Sequence, residues 1–245
     1  MILSRQNSLI KLCKSLSDKK FRDREGLYLV EGVKMVKEAM ENHCDIHRIL
    51  LTPACLEKAG DFLHGKEFDL VEESVFKSIS GEVTPQGVLA LVKKPQSDLE
   101  KPKGKCLFLD EVADPSNVGA IIRTAAASGY TDIYAFNCAD PFSPKAVRSS
   151  MSGIFKVEIH VGERQNLLDK IHVPIVVADM GGEDVFSARL PQNFCLVIGN
   201  EGRGVSQTLK GLANYTVSIP MQNGMESLNA SVSAGILMYL LGKKQ

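Results

Sequence analysis

Three short stretches of this 245-residue chain put amides, carboxylates and glycines where apolar runs end, and such groups hold and orient ligands. The first, LDEVADPSNVGAIIRTAAASGY (109–130), reads as a strand, a turn holding Pro115, Ser116 and Asn117, and a helix of small residues. Ser116 or Asn117 suits the cap of that helix. Arg123 follows Asn117 by nearly two helical turns, so either both face one cleft or Arg123 is a surface charge. The second, LVIGNEGRGVS (196–206), sets Gly199, Gly202 and Gly204 around Asn200 and Glu201 directly after a buried-strand pattern, and glycines there let backbone come close to a ligand. It has neither the GK[ST] of a phosphate-cradling loop nor the spacing of GxGxxG. The third, VSIPMQNGMESLNASVSAGILMYLL (217–241), is a strand, a loop and an apolar helix beginning near Ser227 to Asn229, where polar residues ordinarily act as caps.

These stretches need elements to position them, and the apolar pattern supplies them. CLFLD (106–110), DIYAF (132–136), VPIVVAD (173–179), FCLVIGN (194–200) and YTVSIPM (215–221) are strand-like runs with helical patterns between most of them. Nearly continuous apolar strands alternating with helices imply an α/β fold around a mostly parallel sheet covered on both faces. Ligands of such sheets sit at the carboxyl ends of the strands, where the three stretches lie. Upstream, LYLV (27–30) and HRILL (47–51) read as strands around a helix at 31–42 with Val33, Val36 and Met40 on one face, and TPQGVLALV (84–92) supplies a further strand. The charged, proline-bearing segment KKPQSDLEKPKGK (93–105) interrupts the apolar pattern as linkers do, which puts a domain boundary near residue 98: a smaller α/β unit over 1–98 and a larger one over 99–245.

Composition is that of a globular chain, with 44% hydrophobic and 24% charged residues. Net charge is zero, and residues 1–98 carry 15 basic and 15 acidic side chains against 14 and 14 in residues 99–245, so global charge points to no partner. Locally the balance differs. Residues 1–24 hold Arg5, Lys11, Lys14, Lys19, Lys20, Arg22 and Arg24 against only Asp18 and Asp23, a stripe that suits either phosphate neutralisation or a solvated helix face. Cys13, Cys44, Cys55, Cys106, Cys138 and Cys195 stand singly with no CxxC pair, and no HExxH occurs, so reduced core thiols and no metal are expected. No apolar run approaches the roughly 20 residues of a membrane span, and the first 20 residues read as an amphipathic helix rather than a signal peptide, which suggests a cytoplasmic protein.

Taken together, N-x-G-x-x-x-R (Asn117 to Arg123), IGNEGRG (198–204) and IPM…SLNASVSAG (219–235) resemble the three motifs of the SpoU (TrmH-like) family of RNA 2′-O-ribose methyltransferases, within the SPOUT superfamily. The likeness covers roughly residues 105–241, in the family's order and spacing. The segment FRDREGLYLVEGVKMVKEA (21–39) resembles the ribosomal-protein-like substrate-binding domain that many members carry in front.

This resemblance implies a trefoil-knotted catalytic domain, a homodimer with its site at the subunit interface, S-adenosylmethionine as cofactor and RNA as substrate, ribosomal RNA first with transfer RNA as the alternative. It implies that Gly199, Ile219 and Leu228 hold the cofactor largely through backbone groups, with Met221 and Ser227 nearby. Asn117, Arg123, Glu201, Ser227 and Asn229 match the family's reaction-centre positions, with Arg123 foremost. Arg148, in SPKAVRSSMSG (143–153) beside Lys145, matches a stretch near the RNA. The family role of the arginine as base sits poorly with a guanidinium of pKa above roughly 12. A phosphate clamp that stabilises a developing alkoxide is the alternative. Two further readings stand beside the enzyme: a non-catalytic RNA-binding protein of this fold, which intact Arg123, Glu201 and Asn229 oppose, and a methyltransferase with an open sheet, which would place a glycine-rich loop after its first strand.

Overall fold

The computed structural model describes residues 1–59, 63, 65–95, 102 and 104–242, and the boundary expected at residue 98 falls outside them. The chain begins with two helices, α1 (Ser8–Ser15) and α2 (Lys19–Glu25), where the sequence pattern suggested one. The break has a local cause. Asp18 takes an extended conformation and caps α2 by accepting the Lys20 N–H at 2.9 Å, so the first helix ends before it. Next come β1 (Leu27–Glu31), α3 (Val33–Glu41), β2 (Ile46–Leu51), α4 (Pro53–Ala59), β3 (Asp69–Leu70), α5 (Glu73–Phe76) and β4 (Val88–Lys93). Their strands form a sheet in the order β1-β4-β2-β3.

The second half runs β5 (Cys106–Asp110), α6 (Pro115–Ser128), β6 (Asp132–Phe136), α7 (Pro144–Ser150), a 3-10 turn (Met151–Phe155), β7 (Glu158–Val161), α8 (Arg164–Leu168), β8 (Ile175–Asp184), β9 (Cys195–Gly199), α9 (Gln207–Gly211), β10 (Tyr215–Ser218) and α10 (Ala230–Gly242). The strands make a wholly parallel sheet in the order β10-β8-β9-β5-β6-β7. Every residue of β5 is buried, as a run of Cys, Leu, Phe and Leu covered on both faces requires. From β5 the chain builds outward to β6 and β7, then returns to the other side of β5 with β8 and β9. The order therefore reverses between β5 and β9, where Asp110 pairs with Gly199, and a reversal of this kind opens a crevice outside the strand ends.

The two halves share one apolar cluster, in which Tyr28, Val30, Met35 and Val36 join Phe142, Val147 and Ile154. The Tyr28 and Phe142 rings lie 5.1 Å apart. A buried ion pair accompanies them: Arg22, 3% exposed, meets Asp140, 7% exposed, at 2.7 Å and gives two more hydrogen bonds to the Leu16 and Ser17 carbonyls. This corrects the expectation that Arg22 binds phosphate, because every part of its guanidinium that faces a partner is occupied inside the fold. Lys11, Lys14, Lys19 and Lys20 are exposed, with Lys19 paired to Asp23 one turn on. Arg148 is ion-paired with Glu82 at 3.2 Å and lies so close to Gly81 that a Cβ there would fall 2.5 Å from its Nη1. Its side chain is still 36% exposed beside this contact between the halves.

Candidate active site

The turn between β5 and α6 is set by Asp114, which accepts the Ser116 N–H at 2.7 Å and caps the helix, with Pro115 pre-set in the first turn. Ser116 and Asn117, expected as caps, lie inside the helix instead. The Ser116 N–H and the Lys145 ammonium hold the Asp114 carboxyl below the ordinary carboxylate range. Being past the cap, the Asn117 side chain is free to turn inward, and the residue is almost wholly buried.

From Asn117 a hydrogen-bonded chain runs in both directions. Its Nδ2 donates to Glu201 Oε1 at 2.9 Å, and its Oδ1 accepts from Asn229 Nδ2 at 3.0 Å. Glu201 also accepts the backbone N–H groups of Ala113 and Asp114 at 3.0 and 3.1 Å. Partial burial pushes the Glu201 carboxyl up, but the hydrogen bonds from Asn117, Ala113, its own N–H and Asp114 together outweigh it, and the group sits below its ordinary range. Asn229 Oδ1 meanwhile accepts from Ser231 N at 2.9 Å and Val232 N at 3.3 Å, so the residue caps α10 and joins the network at once.

The loop that carries Glu201 is fixed at both ends. Asn200 and Gly204 exchange backbone hydrogen bonds of 3.0 and 2.9 Å, and a Cβ on Gly199 would lie 2.3 Å from the Gly204 carbonyl carbon, so only glycine closes this fold-back. Asn200 Nδ2 donates to the Glu111 carbonyl at 2.8 Å. Buried Asp110 takes the Ser206 N–H at 2.8 Å and Arg164 Nη2 at 3.0 Å. Asp110, Glu111 and Arg164 were not singled out from sequence, although the acid at the end of a wholly apolar strand was a visible signal.

Beside the network lies a cavity of about 380 Å³ at the carboxyl ends of β8, β9 and β10. Its walls include Gly199, Ile219, Met221, Ser227 and Leu228, all five of the residues matched to the cofactor, together with Glu201. Its size falls in the roughly 300–1,000 Å³ range of small-molecule sites. The lining fits S-adenosylmethionine. Ile198, Ile219, Leu228 and Leu237 offer apolar surface for a flat ring, while Asp179, Glu226, Arg203 and Lys210 offer both signs of charge for an amino-acid tail. Lys210 and Asp179 pair with each other at 2.8 Å.

Arg123 stands apart from the network. Six residues after Asn117 it is turned about 120° round the helix, and its side chain is exposed where that of Asn117 is buried. The two do not face one cleft within a single chain. Among the described residues the Arg123 side chain has no hydrogen bond or ion pair.

Comparison with known proteins agrees with this geometry. The model of the SpoU rRNA Methylase family matches residues 104–239, and that of the MRM3-like substrate binding domain matches residues 7–90. The chain is similar to the 23S rRNA (guanosine(2553)-2'-O)-methyltransferase RlmP of Bacillus subtilis, 29% identical over 98% of this chain and 98% of that protein. It is similar also to the 23S rRNA (uridine(2479)-2'-O)-methyltransferase of Streptomyces viridochromogenes, 31% identical over 91% of this chain and 85% of that one. Among solved structures, the AdoMet-bound rRNA methyltransferase from Sinorhizobium meliloti superposes with a TM-score of 0.87 at 26% identity, covering 98% of this chain and 96% of that chain. With three sequence motifs, a parallel sheet and a strand-end cavity in place, the chain belongs to the SpoU rRNA methylase family.

Proposed function

We infer that this protein is an RNA methyltransferase that uses S-adenosylmethionine to modify a ribose 2′-hydroxyl, with ribosomal RNA as its substrate. The observation that carries this is the chain Glu201–Asn117–Asn229 at the edge of a cavity walled by Gly199, Ile219, Met221, Ser227 and Leu228. The cofactor supplies the methyl group when bound. The protein's part is to hold the ribose oxygen in line with it, and ordered polar groups fixed in advance are suited to that work. The two 23S RNA relatives differ in the base they modify, guanosine against uridine, so the shared element is the ribose.

Arg123 is the principal catalytic residue in this proposal, acting as a fork that grips a phosphate and stabilises the developing alkoxide. Its exposure, its lack of a side-chain partner among the described residues and its place on the helix that also carries Asn117 support that role. Glu201, Ser227 and Asn229 orient the ribose and the amides around it. The protein acts as a homodimer: Val232 and Tyr239 leave an apolar stripe exposed on α10, which packs beside α6, and a second copy seated there covers the stripe and encloses Arg123. The C-terminal segment is knotted, a reading supported by the match to the SpoU family over residues 104–239. Residues 1–98 grip the RNA, with exposed Lys11, Lys14, Lys19 and Lys20 as phosphate contacts, and residues 99–245 carry the chemistry. The compartment is the cytoplasm, where six free thiols stay reduced.

The test incubates the full chain with methyl-labelled S-adenosylmethionine and, separately, unmodified ribosomal and transfer RNA, then digests the product with alkali. Alkaline cleavage needs a free 2′-hydroxyl, so label in an alkali-resistant linkage of ribosomal RNA is the expected result. Label that alkali releases would overturn the ribose assignment, and label confined to transfer RNA would overturn the substrate.

A further inference from the structure

Helix α6, which bears Asn117 and Arg123, is touched by backbone at two glycines. A Cβ at Gly119 would fall 2.3 Å from the Ala146 carbonyl oxygen and 3.0 Å from Ser150 N. A Cβ at Gly153 would fall 2.8 Å from Arg123 Cα and 3.2 Å from Arg123 N. The segment 146–153 therefore lies directly on the α6 backbone over the turn that ends at Arg123.

Between these contacts the chain is strained. Met151 has φ 48° and ψ −143°, a region that L-residues other than glycine almost never occupy. The surroundings hold it there. Ser150 is fully buried and donates its hydroxyl to the Val147 carbonyl at 2.7 Å, and α3 packs on the outer side of the 3-10 turn, with Lys156 reaching Glu38 at 3.5 Å. Without this reversal at Met151 the chain would not bring Gly153 back onto the helix. Strain that the fold maintains next to a reacting group is characteristic of positioning devices.

We propose that the Met151–Gly153 turn is the positioning element for Arg123: it fixes the height and rotation of the Arg123 Cα, and so where the guanidinium reaches. The proposal rests on the reading that Arg123 acts in the methyl transfer. Neither residue lines the cofactor cavity, so cofactor affinity and Arg123 placement respond separately to changes here.

The experiment measures kcat and S-adenosylmethionine Kd for the full chain and for Gly153→Ala, each also in an Arg123→Lys background. A displacement of about 1 Å can cost on the order of 100-fold, so Gly153→Ala is expected to lower kcat by about 10-fold or more with Kd held within about twofold. In the Arg123→Lys background the same change should cost no more than about twofold, because there is no longer a fork to misplace. An equal loss in both backgrounds, or an unchanged kcat, would overturn the proposal. If Gly153→Ala does not fold, Met151→Val and Met151→Gly replace it, since both delete the methionine side chain but only glycine accepts the turn. Activity kept by Met151→Gly and lost by Met151→Val supports the proposal, and equal loss in both overturns it. Full turnover by Arg123→Ala is a different outcome, one that removes the underlying reading of Arg123 as well.

Discussion

Asn117 donates its side-chain amide to the Glu201 carboxylate at 2.9 Å and, through its other atom, accepts the amide of Asn229, so one buried residue ties together the loops after β5, β9 and β10. An amide suits this place because it donates from its nitrogen and accepts at its oxygen. Asn117→Asp keeps the shape and removes the donor, setting two carboxylates against each other. The variant should lose methyl transfer and about 1–3 kcal/mol of stability, as a buried group left unpaired costs. Calorimetric titration of S-adenosylmethionine separates the effects: the affinity should stay near that of the parent, since Asn117 does not line the cavity.

The pH dependence of this network has a definite sign. The folded-state pKa of Glu201 is depressed, so its contribution to stability is fully present above the unfolded value of about 4.3 and is lost as pH falls through the lower folded value. Glu201→Gln removes that contribution and sets an NH2 group where one carboxylate oxygen now accepts. Denaturant midpoints of the two proteins should differ by a constant amount near neutral pH and converge only below about pH 4.3. A gap that instead widened as the solution was acidified would contradict the depressed pKa.

Much of this site was legible in the sequence because its parts sit at the ends of strong apolar strands. CLFLD and DIYAF form strands with the bounds that their continuous apolar runs suggest, and burial on both faces is the cause. The strand β7 went unread: EIHV is short and its outer residues are exposed, so neither periodicity nor length marks it. The end of β8 was missed for a related reason, since its last residues, MGGED, are mostly exposed and held by pairing with β10 rather than by apolar burial. Asp114 as cap was available in the Asp-Pro-Ser string, where an N-cap acid precedes a first-turn proline. Arg22 was not. Its partner Asp140 lies 118 residues away, and local charge counting cannot distinguish a cation bound for a buried pair from one left in solvent.

That pair yields a third prediction, about how the halves stay together. Removing one member of a buried ion pair leaves the other uncompensated, at a cost of about 3–5 kcal/mol. Arg22→Met should therefore destabilise the chain by that amount and strand the Leu16 and Ser17 carbonyls as well. Asp140→Asn added to Arg22→Met should recover part of the loss, a positive coupling measurable by denaturant titration of the four proteins. Exposed Lys19 and Asp23 provide the contrast, because breaking that surface pair should cost no more than about 1 kcal/mol.

The last prediction concerns thiol chemistry. Burial pushes both Cys13 and Cys138 up to about 12 and raises Cys195 well above its ordinary value, in the last case with the neighbouring Cys106 adding to the effect. Alkylation proceeds through the thiolate, which these environments suppress at neutral pH, while burial also blocks access to Cys13 and Cys195. In the folded protein, iodoacetamide should leave Cys13, Cys138 and Cys195 unmodified over times that fully label them in denaturant, with mass spectrometry of the peptides giving the readout. Cys44 is half-buried, so it should be labelled before the fully buried Cys13 and Cys195. Rapid labelling of Cys138 would carry a specific meaning: its Sγ lies 3.3 Å from the Leu109 carbonyl, and exposure of that contact requires the end of β5, which carries Asp110 and the fixed end of the Glu201 loop, to open.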